Sequence, residues 1–202
     1  KLEAAPKLEA AIVPVTPFQQ NCTLVWNAAT RRGAVIDPGG DVPRILESIR
    51  QLGVTIETIV LTHGHIDHAG GAAALREALA GQTAPTGGAA AIPIEGPHER
   101  DRFLLEGLEQ QGRAYGLVGA RNVLPDRWLE EGDTVTIGGH PIAVLHCPGH
   151  TPFRLPAPPY RPYRVYPLPL GDDLAFVCGH GPGSTIGAER CTNPFVGERA
   201  RG

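Results

Sequence analysis

The sequence predicts a mixed α/β (α+β) protein whose sheets are covered by helices on their outer faces. Three observations lead there. Short strand-like runs separated by turn residues open the chain, apolar residues recur at helical spacing between the strands, and each of three histidine-bearing turns directly follows an apolar run.

Ala11 to Val15 and Asn21 to Trp26 read as strands, and Gly33 to Asp37 as a third that stops at Pro38-Gly39-Gly40. These form an antiparallel meander. Asp41 is the expected N-cap of a helix over Val42 to Leu52, with Val42, Ile45, Leu46 and Ile49 on one face and Gly53 beyond its end. A strand from Ile56 to Leu61 delivers Thr62 to His68, and a second helix, Ala72 to Ala80, starts past Gly70-Gly71, where bare backbone permits close approach. Residues 83–91 read as a surface loop. Arg100 to Gln111 reads as a third helix ended by Gly112, and Thr134 to Ile137 pairs with Pro141 to Leu145 as a hairpin over Gly138-Gly139.

Lys1 to Ala5 recurs as Lys7 to Ala11 across Pro6, so residues 1–10 read as a duplicated or added leader and residues 11–202 as a single domain. The net charge of −3 and the absence of a basic cluster argue against a nucleic-acid partner and leave a small molecule as the expected one. No apolar run reaches the roughly 20 residues that cross a bilayer, and no charged-then-apolar leader opens the chain. The expectation is a soluble, cytoplasmic protein without a membrane partner; oligomeric state is not readable. Cys22, Cys147, Cys178 and Cys191 form no C-x-x-C pair and are expected to be free thiols. Cys147 and Cys178 lie close to histidines, so thiolate ligation stays open beside simple packing.

Thr62-His63-Gly64-His65-Ile66-Asp67-His68 carries the chemistry. It puts three imidazoles and a carboxylate on one turn leaving a strand, donors that divalent zinc or iron accepts. Any one of these histidines alone would read as part of a solvated loop. At H-x-H-x-D-H spacing the four point to a two-metal hydrolytic site. His150, in His146-Cys147-Pro148-Gly149-His150-Thr151, and His180, in Cys178-Gly179-His180-Gly181-Pro182, repeat the pattern of a histidine on a rigid turn after a strand. His98 and His140 have no companion ligands and read as bland.

These stretches, with the Asp37-Pro38-Gly39-Gly40 turn, resemble the metallo-β-lactamase superfamily and, within it, the small glyoxalase II-like hydrolases. The resemblance covers roughly Ala11 to Pro152 and Leu168 to Phe195. It implies a four-layer αβ/βα sandwich, incomplete in its C-terminal half. It further implies that His63, His65 and His150 hold a first metal and Asp67, His68 and His180 a second, with Asp67 also catalytic in orienting the nucleophile. Zinc is the implied cofactor, as one or two ions, with iron or manganese admissible because a His/Asp set discriminates poorly.

The chain departs from the family between its last two histidine turns. There the family has strands, a helix and an aspartate that bridges both metals. Here residues 153–167 form an irregular Pro- and Arg-rich insert that excludes helix and central strand. A deletion or a shifted reading frame produces such a pattern. Asp172 and Asp173 are the only carboxylates available to replace the bridge. Losing a shared anion weakens the second site more than the first. The resemblance thus implies hydrolysis of a thioester or ester of a small acyl compound through water activated by the metal. The alternatives are a mononuclear-iron persulfide dioxygenase-like oxidoreductase and a metal-binding remnant without catalysis.

Overall fold

Alternation of side chains decides how the first sheet is built. The computed structural model describes residues 7–83, 91–146 and 171–193. Strands β1 (Leu8–Val15), β2 (Gln20–Asn27) and β3 (Arg32–Ile36) run antiparallel, as the meander reading expects. Helix α1 (Val42–Leu52) then carries the chain across to β4 (Thr55–Val60), which is parallel to β3, and β5 (Ile94–Glu95) adds parallel to β4. The sheet order is β1-β2-β3-β4-β5.

Successive residues face opposite layers, as the two-residue period of a strand requires. Leu24, Val35 and Ile59 point into a core that also holds Ile45 and Ile49 of α1, Leu75 and Leu79 of α3 (Ala72–Thr83), and Leu105 and Leu108. Their neighbours Val25, Ala34 and Val60 meet Leu129, Val135, Ile137 and Ile142 on the other face. That second cover is the hairpin of β6 (Thr134–Ile137) and β7 (His140–Ala143), tied to β2 where Asn27 Nδ2 donates to the Gly138 carbonyl at 2.9 Å. Helix layer, sheet and second sheet of the expected sandwich are thus present, and the mixed α/β class stands.

Several expectations need correction. β1 begins at Leu8, inside the stretch set aside as a leader: Leu8 pairs with Asn27, and the Glu9 carboxylate accepts from Trp26 Nε1 at 3.0 Å. Asp41 occupies the N-cap of α1, but its side chain does not cap. Its carboxylate instead accepts the Thr16 backbone N–H at 2.7 Å, while its carbonyl takes Arg44 N and Ile45 N. The helix expected over Arg100 to Gln111 is three pieces: a 3₁₀ turn (Glu99–Asp101), α4 (Arg102–Leu105) and α5 (Leu108–Tyr115). Gly112 lies inside α5 and does not end it. A Cβ there would meet Ala120 Cβ at 2.8 Å, so the residue is set by how closely the following loop packs.

Within the span read as one domain, the chain divides into two compact units, the first ending at Leu145 and the second starting at His146. The second contains β8 (Ala175–Phe176), antiparallel to β9 (Ser184–Thr185), and α6 (Ile186–Thr192), whose first turn is capped by Thr185 Oγ1 accepting from Ala188 N. No helix among the described residues is long and apolar enough to cross a membrane.

Ile45 has no exposed surface and links α1 to the sheet. Replacing it with Ala removes most of a buried side chain and leaves a cavity, so Ile45→Ala should lower unfolding free energy by about 2–5 kcal/mol in a denaturant titration. An unchanged midpoint would show that α1 does not cover the core as described.

Candidate metal centre

Two parallel neighbouring strands ending at the same edge bring the chemistry together. β3 and β4 align with Ile36 opposite Val60, and the Asp37 N–H continues the ladder to the Val60 carbonyl at 2.9 Å. The turn after β3 therefore lies against the turn after β4. The latter contains Thr62 to His65 and then α2 (Ile66–Ala69), a single helical turn.

Asp37 is 4 % exposed and adopts φ 52, a left-handed backbone that Asp is among the few residues to tolerate. Its carboxylate is shared among three donors. Oδ1 accepts the Thr62 N–H at 2.8 Å; Oδ2 accepts the Thr62 hydroxyl at 2.6 Å and faces His68 Nδ1 at 2.8 Å. A carboxylate only accepts, so the proton of the neutral His68 ring is assigned to Nδ1 and the lone pair to Nε2. That Nε2 lies 3.7 Å from Asp67 Oδ2.

The same logic fixes His63. The Thr62 hydroxyl spends its proton on Asp37, so it accepts from His63 Nδ1 at 3.0 Å and leaves His63 Nε2 as the lone-pair nitrogen. His63 Nε2 is 3.0 Å from His65 Nδ1, and the His63 ring lies with its centroid 3.9 Å from that of His68. Two nitrogens each about 2.0–2.1 Å from a tetrahedral zinc lie about 3.3 Å apart. The His63 and His65 pair is thus spaced to share one ion.

Asp37, His63 and His68 offer donor atoms within 4.8 Å of one another. Asp37 is better placed as the group that orients His68, since ligation by its Oδ2 would compete with the His68 and Thr62 hydrogen bonds it already accepts.

Backbone contacts lock the two turns together. A Cβ on Gly39 would fall 1.5 Å from the Asp67 carbonyl oxygen, so only glycine allows this approach, and the Gly71 N–H donates to the Pro38 carbonyl at 2.8 Å. From the other side, Asp101, buried at 5 % exposure, accepts the Gly64 N–H at 3.0 Å between the two histidines.

Of the expected ligands, His63, His65, Asp67 and His68 are gathered on this one turn; His68 is buried and the other three are half-buried. His150 and Cys147 lie outside the described residues. His180 is exposed on the turn past β8 in the second unit. Asp172, one of the two candidates for the missing bridge, lies 3.2 Å from Arg190 in a surface pair of that unit, and Asp173 is exposed. Burial first, and then the charge of Glu189, push the Cys178 thiol up, which disfavours thiolate ligation. His98 Nδ1 accepts the Arg100 N–H at 3.2 Å within its own turn, and His140 Nε2 lies 3.0 Å from Asn27 Nδ2, a contact between β7 and the end of β2.

Sequence reasoning missed three residues: Asp37 as an orienting group, Asp101, and Gln20, whose Nε2 lies 3.5 Å from His68 Nδ1. For Asp37 a signal existed. A histidine ligand needs a partner for its other nitrogen, and an aspartate ending the neighbouring strand is a natural supplier.

The sequence pattern of the metallo-beta-lactamase superfamily matches residues 15–155, and the chain belongs to that superfamily of metal-dependent hydrolases, a fold that implies divalent-metal binding. Hydroxyacylglutathione hydrolase GloC of Haemophilus influenzae is 34% identical over 220 aligned residues, spanning 94% of this chain and 98% of the relative. Among solved structures, the BLEG-1 B3 metallo-beta-lactamase has a TM-score of 0.72 at 26% identity, covering 93% of this chain and 99% of that one. TTHA1623 in a di-iron-bound form has a TM-score of 0.69 at 31% identity, covering 92% and 100%. The GloC alignment is longer than the stretch of this chain it covers, so the relative carries aligned-span residues that this chain lacks. The superfamily match itself stops at Leu155, inside the Pro- and Arg-rich insert.

Two outcomes are expected. Gly39→Ala should displace the Asp67 turn and abolish metal retention, measured as divalent metal per chain by elemental analysis after gel filtration; full retention would contradict the cross-turn packing. Cys22, fully buried and pushed up first by burial and then by the Asp37 charge, should resist alkylation in native protein while exposed Cys191 reacts. Peptide mapping showing equal labelling would contradict that burial.

Proposed function

We propose that this chain hydrolyses a thioester, or a similar ester, of a small acyl compound, as the name hydroxyacylglutathione hydrolase describes for its relative. The observation that carries the reading is the pairing of His63 Nε2 with His65 Nδ1 at 3.0 Å beside a His68 whose Nε2 is turned toward Asp67. His63, His65 and His150 would hold a first ion, and Asp67, His68 and His180 a second, with zinc the first choice. A divalent ion there supplies Lewis acidity, bringing the pKa of water from about 16 toward about 7 and stabilising a developing oxyanion.

The residues of the chain do the positioning. Asp67, half-buried near the start of α2, presents an oxygen toward His68 Nε2 and orients the attacking water. Asp37 and Thr62 hold two imidazoles in the tautomer that offers Nε2, so neither ring reorganises when an ion arrives. With no counterpart to the family's bridging carboxylate, a second ion would be held more weakly than the first. The partner is a small molecule, not nucleic acid or a membrane, and the working compartment is the cytoplasm.

Iron has one observation in its favour, the di-iron-bound state of TTHA1623. Elemental analysis paired with hydrolysis of S-lactoylglutathione separates the readings. Zinc-loaded protein with turnover supports the hydrolase. Iron-loaded protein that consumes oxygen with a glutathione persulfide supports the oxidoreductase, and metal without turnover on any thioester, ester or lactam supports a remnant. His65→Ala should lose bound metal and activity together; unchanged loading in that variant would overturn the ligand assignment.

A further inference from the structure

Gln20 opens β2 with no exposed surface, and its amide lies against the pair that defines the centre. Its Nε2 position is 3.5 Å from His68 Nδ1, the nitrogen that faces Asp37 Oδ2 at 2.8 Å. Its other amide atom, Oε1, has no hydrogen-bond partner among the described residues. An amide N–H cannot donate to a ring nitrogen that already carries a proton. Amide oxygen and nitrogen are assigned from their hydrogen bonds, so the atom facing Nδ1–H is the oxygen, acting as a second and longer acceptor beside Asp37. In that orientation the NH₂ takes the unpartnered place. With Oε1 as placed, the fold buries one amide atom without a partner, which costs folding free energy. Leucine or methionine would fill such a position without that cost.

We propose that Gln20 is a positioning residue of the metal centre. Its amide oxygen and the Asp37 carboxylate together cradle Nδ1–H and fix the plane of the His68 ring, so that Nε2 faces Asp67. Asp37 alone fixes which nitrogen carries the proton, and the His63 ring packs on one side of the imidazole. A second acceptor on β2, beside the one at the end of β3, further restrains rotation of the ring about that hydrogen bond. The proposal rests on the reading of His68 as a metal ligand.

The test is Gln20→Met, which keeps the side-chain length and removes both polar atoms, with Gln20→Asn, too short to reach His68, as a second variant. The metal-free Met variant should melt at the same temperature as wild type or higher, since a buried unpaired group is gone. Its zinc retention in a chelator competition should fall about tenfold, the scale on which partners of metal-bound histidines act, and the Asn variant should show the same weakening. Zinc held as tightly in the Met variant as in wild type overturns the role of Gln20 and leaves the hydrolase reading intact. A metal-free Met variant that melts lower, or does not fold, shows that Gln20 serves packing and also overturns the proposal. Wild-type protein that retains no ion removes both readings together.

Discussion

The buried Asp37 carboxylate, accepting from Thr62 twice and from His68 once, joins two turns that would otherwise be independent loops. Each bond has a separate consequence: the Thr62 N–H fixes the path of the chain out of β4, the Thr62 hydroxyl passes an orientation on to His63, and His68 is set with Nε2 outward. Hydrogen bonds to a charged group contribute about 1.5–3 kcal/mol each, enough together to offset much of the cost of burying the carboxylate. Removing the carboxylate is therefore harsher than the mean bond suggests, because three donors lose their acceptor together.

Topology makes this clasp available. Had β4 run antiparallel to β3, their C-terminal ends would lie at opposite edges and Asp37 could not reach Thr62. The α1 crossover turns the chain around, and ligands gather beyond the carboxyl ends of parallel strands, as they do in open α/β sheets generally. Glycines then bring the turns within backbone contact: Gly39 lies against the Asp67 carbonyl, and Gly64 is held between the Asp101 carboxylate and Leu104. The histidines supply the chemistry, while residues with little or no side chain set the distances between them.

Much of this was readable in the sequence because it rests on short-range pattern. The H-x-H-x-D-H run, the apolar stripe of α1 and the Gly138-Gly139 hairpin are local, and the structure places the last two where the periods put them. What escaped depends on contacts between segments distant in sequence. Asp41 has the look of a helix cap, yet the Thr16 N–H claims its side chain from another loop. Gly112 reads as a helix stop, yet it is a site of close packing by Ala120. Gln20 and Asp101 carry no motif at all; each matters only because of where a histidine turn lands. Leu8 to Ala10 are obscured by an apparent repeat, although Trp26 and Val25, which pair with Glu9 and Ala10, lie within the expected second strand.

The most direct measurement is long-range ¹H–¹⁵N correlation spectroscopy of ¹⁵N-histidine-labelled, metal-free protein at neutral pH, which reports which ring nitrogen carries the proton. The Asp37 clasp predicts His68 as the Nδ1–H tautomer with an unprotonated Nε2, shifting at Nε2 when zinc is added. A His68 ring protonated at Nε2, or one whose spectrum ignores zinc, would contradict it.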